Sequence, residues 1–389
     1  MKDRIIAGID VGTYQVKVVI ASCSDSKQEK GLPKIIGTGF AESRGLRNGY
    51  IINETDVIRS VRSAVLQAEK VAGVEAKKAY VSIGSVGLDE IFSRGEVVIS
   101  RADSEITQAD VDKAMQDSEE RIEDSIPNRK ILHAIPVSYT VDNEPVLGRP
   151  HGLKGTKLTV ESLFVTCYEQ HINDLVNVIE SIGIIVEDVM AAPLAASFVM
   201  LTKAQKRAGC ILANIGAETV SIAVFENTFP VSVKVFPIGS NDITNDIALG
   251  LKIPLEEAEK IKRGGMSSMN YSKRRLEEII SARLSDIFEL IDAHLKRIKR
   301  DGLLPAGIVI TGGGSGLSTV EDLARASLRL PSKIATLDAG NNSKIRDASW
   351  AVAYGLCMWG ASDNDKVSGV SIAKQAKQSI LSWFNQFLP

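Results

Sequence analysis

The feature that most constrains this chain is a strand–turn–strand unit that occurs twice. Residues 4–20 read RIIAGIDVGTYQVKVVI. Ile5, Ile6 and Ile9 form an apolar run, Asp10-Val11-Gly12-Thr13 makes a turn, and Val16, Val18 and Ile20 alternate with Gln15 and Lys17. Residues 210–225, CILANIGAETVSIAVF, match the first copy at a constant offset, pairing Asp10 with Asn214, Gly12 with Gly216, Val16 with Val220 and Val18 with Ile222. Glycine in such a turn allows N–H groups to face one concavity, which suits a phosphate. An aspartate at the end of the first strand is placed to hold a water on a phosphate-bound cation, so Asp10 is the candidate metal-site residue. Two units of this kind predict two similar lobes closing on one ligand.

A chain of 389 residues is expected to form several subdomains. A net charge of −2 with 24% charged residues gives no global attraction to nucleic acid. No stretch approaches the roughly 20 apolar residues of a membrane span, and nothing resembles a signal peptide, so the chain reads as cytoplasmic. Cys23, Cys167, Cys210 and Cys357 are scattered and read as reduced thiols rather than disulfides or a zinc site.

The first unit is followed by a helix expected over Asn53–Ala72, stopped by Gly73, and a short strand at Ala79–Ile83. The segment from Gly84 to Val160 reads as a compact insertion. Its expected elements are a strand at Gly95–Ile99, a helix opened by Thr107 with Asp110 at the third position, and strands at Ile131–Ile135 and Ser138–Val141. Leu163–Thr166 is expected to be a strand of the first lobe resuming, before a helix over Glu169–Ile182. Lys203–Ala208 reads as a polar connection into the second lobe. There a strand at Pro230–Pro237 and a helical region, Asn241–Asp301, interrupted at Pro254 and Gly264-Gly265, precede a strand at Gly307–Ile310.

That last strand runs into Thr311-Gly312-Gly313-Gly314, a glycine turn expected to stand ahead of a helix from about Ser318. Backbone can approach a nucleotide there, and a helix N-terminus favours anions. Glu259 and Lys262, one helical turn apart, either flank an adenosine or form a solvated ion pair.

The order of phosphate hairpin, insertion, second hairpin, helical region and glycine turn resembles the actin/Hsp70/sugar-kinase superfamily. Within it, Ile238–Gly265 (IGSNDITNDIALGLKIPLEEAEKIKRGG), Ile106-Thr107 with Asp110-Val111, LHAIPVSY at 132–139 and GLKGTKL at 152–158 resemble the bacterial cell-division family FtsA, across nearly all of residues 1–360. The resemblance implies an α/β fold: an actin-like two-lobe fold with an inserted small α+β subdomain and a C-terminal amphipathic helix. The implied division is 1–83 and 162–206 for the first lobe, 84–161 for the inserted subdomain, and 207–238 and 303–347 for the second lobe. The helical subdomain takes 239–302, a C-terminal helix 348–360, a linker 361–370 and a membrane-targeting helix 371–389. The resemblance also implies ATP and Mg2+ between the lobes, with phosphate roles for Asp10, Gly12, Thr13, Asn214, Gly216 and Thr219 and adenosine roles for Glu259, Lys262, Gly312, Gly313 and Gly314. It implies self-association into protofilaments, the FtsZ C-terminal peptide as partner, and further division proteins at the insertion. Arg274, Arg275 and Arg283 on the helical subdomain are candidate contacts for that acidic peptide, with a solvated basic helix as the alternative.

The departures fall where chemistry would occur. Asn214 stands at a position the family usually fills with aspartate, which removes one negative charge facing a cation. Ala217-Glu218 replace usual glycines, and Glu218 is expected to set a carboxylate near the phosphates. Ser221 replaces a frequent acidic residue. Nucleotide binding is therefore expected to be weaker or less magnesium-dependent, and hydrolysis slow or absent.

The tail, SIAKQAKQSILSWFNQFL at 371–388, places Ile372, Ala376, Ile380, Trp383, Phe384, Phe387 and Leu388 on one apolar stripe, with Lys374 and Lys377 on the other side. Such a helix suits the headgroup region of a bilayer, and the polar linker before it would hold the body at the cytoplasmic face of the cell membrane, at the division site by resemblance. Docking of the helix on its own core is the alternative. Two rival functions remain: a superfamily ATPase or small-molecule kinase, which needs a carboxylate base that the sequence does not identify, and a PilM-like adaptor of the type IV pilus system.

Overall fold

The computed structural model describes residues 4–23, 32–266, 271–337 and 347–362. The apolar stripe expected within 371–389 lies outside the described residues. The first lobe opens with β1 (Arg4–Val11) and β2 (Gln15–Cys23), an antiparallel hairpin, and β3 (Lys34–Glu42) pairs with the far edge of β2. A small hairpin, β4 (Leu46–Arg47) and β5 (Tyr50–Ile51), leads to α1 (Glu54–Ala72). The Asn53 side chain accepts from Asp56 N at the start of α1, and Gly73, with φ of 70°, ends it, as the sequence predicts. Val57, Val61, Ala64 and Ala68 form its buried stripe. β6 (Lys78–Ile83) then pairs parallel with β1.

The insertion consists of β7 (Asp89–Val98), α2 (Gln108–Glu120), β8 (Arg129–Val141), β9 (Glu144–Val146) and β10 (Lys157–Tyr168), its four strands forming an antiparallel sheet in the order β7-β10-β8-β9. Thr107 and Asp110 form the expected box, with Thr107 N donating to Asp110 Oδ2 at 2.9 Å. Two expectations are corrected here. The segments expected at 131–135 and 138–141 are one strand, β8, with a bulge opposite Glu161 and Ser162. Leu163–Thr166 is not a first-lobe strand but the end of β10, pairing with β7 and β8. An apolar run of four residues reads as a buried strand in any sheet; long-range pairing decides which sheet owns it.

The chain returns through α3 (Glu169–Glu180) to β11 (Ile185–Ala191), which pairs parallel with β6 and completes the sheet β11-β6-β1-β2-β3. α4 (Ala192–Met200) follows, then α5 (Lys203–Ala208), a short helix where a polar connection was expected; Thr202 caps it by accepting from Gln205 N.

The second lobe repeats the plan. β12 (Cys210–Ile215), β13 (Val220–Glu226) and β14 (Phe229–Phe236) are antiparallel neighbours. The helical part consists of α6 (Ser240–Leu251), α7 (Leu255–Lys262) and α8 (Lys273–Arg297). β15 (Ile308–Thr311) pairs parallel with β12, α9 (Val320–Leu328) crosses over, and β16 (Ser332–Ile334) pairs parallel with β15. The resulting order, β14-β13-β12-β15-β16, mirrors the first sheet strand for strand. α10 (Ala351–Ser362) then crosses back to pack on α4 and β1, burying Tyr354, Leu356 and Trp359 in the first-lobe core.

The insertion is anchored to the second lobe by one buried carboxylate. Glu90 on β7 accepts from Ser232 Oγ at 2.8 Å and from Val233 N at 2.6 Å on β14, and from Arg297 on α8 at 3.4 Å. All four cysteines are free thiols, with Cys167, Cys210 and Cys357 buried. Among the described residues no helix is long and apolar enough to cross a membrane.

Candidate functional site

The two hairpins match in register as well as in sequence. Asp10 faces Lys17 across β1 and β2, and at the same offset Asn214 faces Ser221 across β12 and β13. Gly12 and Gly216 occupy equivalent corners, neither of them with a left-handed φ. Glycine is required there by close approach: a Cβ at Gly12 would lie 2.9 Å from Gln15 O, and one at Gly216 2.8 Å from Thr219 O. Gly216 N donates to Thr219 O, while the first N–H groups of α6, at Ser240 and Asn241, donate to Gly216 O and Ala217 O. The start of α6 therefore braces the second hairpin instead of presenting free donors.

Between the lobes lies a cleft of about 790 Å³. Asp10, Gly12 and Thr13 line it from the first lobe, and Asn214, Gly216, Thr219, Glu259, Lys262 and Gly312–Gly314 from the second. The structure thus brings into one cavity every residue that the sequence assigns to phosphate or adenosine. At Gly312, φ is 88° and a Cβ would collide with the Asn214 side chain, so glycine is required on both counts. A short 3-10 turn, Gly313–Gly316, follows, and α9 begins only at Val320. The helix expected from about Ser318 thus starts two residues later, after the 3-10 turn.

The cleft has a defined charge pattern. Burial pushes the Asp10 carboxyl up, opposed by a 2.7 Å hydrogen bond from Ser82 Oγ and by the charge on Lys17. Burial likewise pushes Lys17 down, opposed by Asp10 and Asp347, and its ammonium donates to Ser349 O at 3.0 Å. On the other wall Lys262 Nζ lies 2.6 Å from Glu259, 2.8 Å from Thr244 Oγ1 and 2.9 Å from Ser240 O. Burial disfavours the Glu259 charge, but hydrogen bonds from Lys262, Thr244 and Arg263 outweigh it and lower its pKa. The pair is thus a partly buried element of the cleft wall, with only 7% of the Lys262 side chain exposed.

Glu218 does not sit among the phosphate-facing residues as expected. Its carboxylate accepts from Asn48 N at 2.6 Å, across the gap between the lobes, and it does not line the cleft. Arg283 is held by Asp246 at 2.7 and 3.1 Å and by Asp286 at 3.2 Å, tying α8 to α6. Arg274 and Arg275 are exposed on α8, each paired with Glu278. Sequence reasoning missed Lys17 and Tyr14 as cleft residues, along with Arg263, whose guanidinium lies over the Tyr14 ring at 5.0 Å. Hairpin counting supplies a signal for Lys17, because an antiparallel turn centred between Thr13 and Tyr14 sets residue 17 opposite Asp10. No local signal joins Tyr14 to Arg263.

Two family models match the chain: the cell division protein FtsA over residues 211–355, and the SHS2 domain inserted in FtsA over residues 90–166. The cell division protein FtsA of Neisseria meningitidis is 30% identical over 384 residues, covering 91% of this chain and 90% of its own length. This chain belongs to the FtsA family. The FtsA of Pseudomonas aeruginosa is 27% identical, covering 97% of this chain and 94% of its own. Among solved structures, a PilM–PilN type IV pilus biogenesis complex matches with a TM-score of 0.67 at 15% identity, covering 92% of this chain and 98% of that one. MreB5 of Spiroplasma citri bound to ADP matches with a TM-score of 0.52 at 13% identity, covering 92% and 96%. At these identities the likeness establishes the fold alone, actin-like and two-lobed, while the SHS2 family model gives the insertion. The SHS2 match ends at residue 166, within the strand that the structure gives to the insertion sheet.

Proposed function

We propose that this FtsA-family chain binds ATP with Mg2+ between its lobes, assembles into protofilaments at the cytoplasmic face of the membrane, and tethers FtsZ filaments there. The observation that carries the nucleotide reading is the convergence of two register-matched hairpins and the Gly312–Gly314 turn on one cleft. Its volume lies within the usual range for small-ligand sites, roughly 300–1,000 Å³. The donor set fits a magnesium nucleotide. Mg2+ keeps several waters and is usually held through one or two carboxylates and the phosphates themselves. Asp10 supplies one such carboxylate, and Lys17 supplies a cation for the phosphates. Glu259 and Lys262 then flank the nucleoside.

When bound, the nucleotide supplies the charge that draws the two lobes together. Neutral Asn214 opposite neutral Ser221 leaves the second hairpin with no carboxylate lining the cleft, which favours retention of ATP over hydrolysis. Arg274 and Arg275, exposed on α8, suit an acidic FtsZ peptide, whereas Arg283 is already neutralised by two carboxylates. The insertion would serve further division proteins, and the segment 371–389 would bind lipid.

Liposome flotation of the intact chain and of one ending at Lys366, each with and without ATP–Mg, tests the tether. Only the intact chain should float, more so with ATP, and it should carry a fluorescent FtsZ C-terminal peptide with it. If both forms stay in the soluble fraction, the tether reading fails. The fold likeness to the pilus complex sustains one alternative, a type IV pilus adaptor. Capture of a pilus-protein N-terminal peptide with none of the FtsZ tail would establish it instead.

A further inference from the structure

Two contacts cross from lobe to lobe beside the cleft, each made by a side chain of a hairpin turn whose neighbouring residues are assigned to phosphate. The first joins Tyr14, at the tip of the β1–β2 hairpin, to Arg263, at the end of α7. The guanidinium stands 5.0 Å from the ring centroid and is aligned from its other side by Glu259 Oε1 at 2.6 Å. Both residues line the cleft and both are about half exposed, Tyr14 at 47% and the Arg263 side chain at 54%, so the contact sits at the mouth. Hydrogen bonding to Tyr14, and then to Glu259, raises the pKa of Arg263, which is charged at any physiological pH.

The second joins Asn48 N, in the β4–β5 turn, to the Glu218 carboxylate at 2.6 Å. Asn48 has φ of 50°, as the first of two positive-φ residues in an Asn-Gly turn, which directs its N–H outward toward the other lobe. Its neighbour Gly49 lines the cleft from the first lobe, and Ala217, the neighbour of Glu218, lines it from the second.

We propose that Tyr14–Arg263 and Asn48–Glu218 form a two-point clasp across the cleft mouth that retains a bound nucleotide, so that its release waits for the lobes to part. The proposal rests on the nucleotide reading above. A ligand lying on Gly12, Gly216 and Gly312 would have its phosphates between the lobes, and leaving by way of the mouth would separate residues that these contacts hold together. An exposed cation–π contact is weak, whereas a charge-assisted hydrogen bond to a partly buried carboxylate is several times stronger. Breaking each on the way out accordingly slows release by a few-fold for the first and about tenfold for the second.

The test is stopped-flow release of a fluorescent N-methylanthraniloyl ATP from the full chain, chased with excess ATP–Mg. Tyr14→Ala should speed release a few-fold, Glu218→Ala about tenfold, and the double variant by about the product. The exposed pair variant Glu321→Ala, on α9, serves as the control for surface charge. As a gain-of-function arm, Tyr14→Cys with Arg263→Cys in a Cys23→Ser background, bridged by a flexible bis-maleimide, should slow release below that of the unaltered chain. If the unaltered chain binds no fluorescent nucleotide at equilibrium, the nucleotide reading falls and the clasp with it. If it binds, but release is unchanged in the single variants and in the bridged form, the clasp is wrong and the nucleotide reading stands.

Discussion

At the scale of single residues, the contrast between the two hairpins sets what the cleft can do. The first carries Asp10 opposite Lys17 and the second Asn214 opposite Ser221, at equivalent positions. Replacing Asn214 with Asp should therefore act in opposite directions with and without cation. In EDTA the new carboxylate faces phosphate and weakens ATP binding; with Mg2+ it gains a metal-held water and tightens it. The ratio of the two dissociation constants, measured by calorimetry, should rise about tenfold over the parent, and an unchanged ratio would remove position 214 from the cation's surroundings. Lys17→Met keeps the stem and deletes the charge, so ATP affinity should fall by about 10- to 100-fold, the range of one lost charge-assisted hydrogen bond. The sequence carried the hairpins because a constant offset is a local pattern in each copy. It carried Asp10 and the glycines because turn chemistry restricts residue type. It did not carry the role of Glu218, since nothing near it in sequence says that Asn48 faces it from the other lobe.

At the scale of elements, the junction of the insertion with the second lobe is a chain of hydrogen bonds whose direction is fixed at one end. Arg297 only donates, so His294 Nδ1 accepts from it at 3.0 Å, and Nε2–H must point to Ser232 Oγ at 2.7 Å. Ser232 in turn donates to Glu90. Burial, with Arg297 and Lys234 adding to it, pushes His294 down to about 4. The sign follows from linkage: a histidine whose folded pKa lies below its unfolded value of about 6.5 stabilises fully above that value. The contribution declines as pH falls from about 6.5 toward 4, when unfolding is favoured by proton uptake. His133, buried and pushed to about 3 by desolvation, adds a second decline of the same sign. Amide hydrogen exchange at β7 and β14, corrected for the intrinsic pH dependence of exchange, should accelerate between pH 7 and pH 5. Glu90→Ala should produce the same acceleration at pH 7 while leaving α1 protected. Uniform acceleration over the whole chain would mean that the network does not fasten the insertion in particular. This junction also shows why Leu163–Thr166 was misplaced. The run is apolar because β10 is central in its sheet, flanked by β7 and β8, and that pairing is invisible to any local window.

At the scale of the whole molecule, the two lobes are one plan used twice, and the cleft is lined by both copies of the motif. α10 reinforces this by leaving the second lobe to pack in the core of the first, so the lobes are joined by main chain at two places, before β12 and before α10. On the proposed reading, a ligand that closes the cleft would fix the relative angle of the lobes, and with it the faces presented to a neighbouring copy. On the proposed tether reading, membrane attachment would depend on assembly. Each large apolar side chain in the segment 371–389 contributes roughly 1.5–3 kcal/mol when buried, less the cost of ordering a helix at the surface. One such anchor is reversible, and two held together gain about 10²- to 10⁴-fold in avidity. Flotation of the full chain with ATP–Mg should therefore rise more steeply than linearly with protein concentration. A monomeric carrier bearing residues 361–389 alone should float weakly and in simple proportion to lipid. Trp383→Ala should lower both, but the full chain by a larger factor, because every subunit of an assembly loses the same increment. Equal flotation of carrier and full chain at matched concentrations would show that assembly adds nothing to attachment, and the tail would then have to be a sufficient anchor by itself.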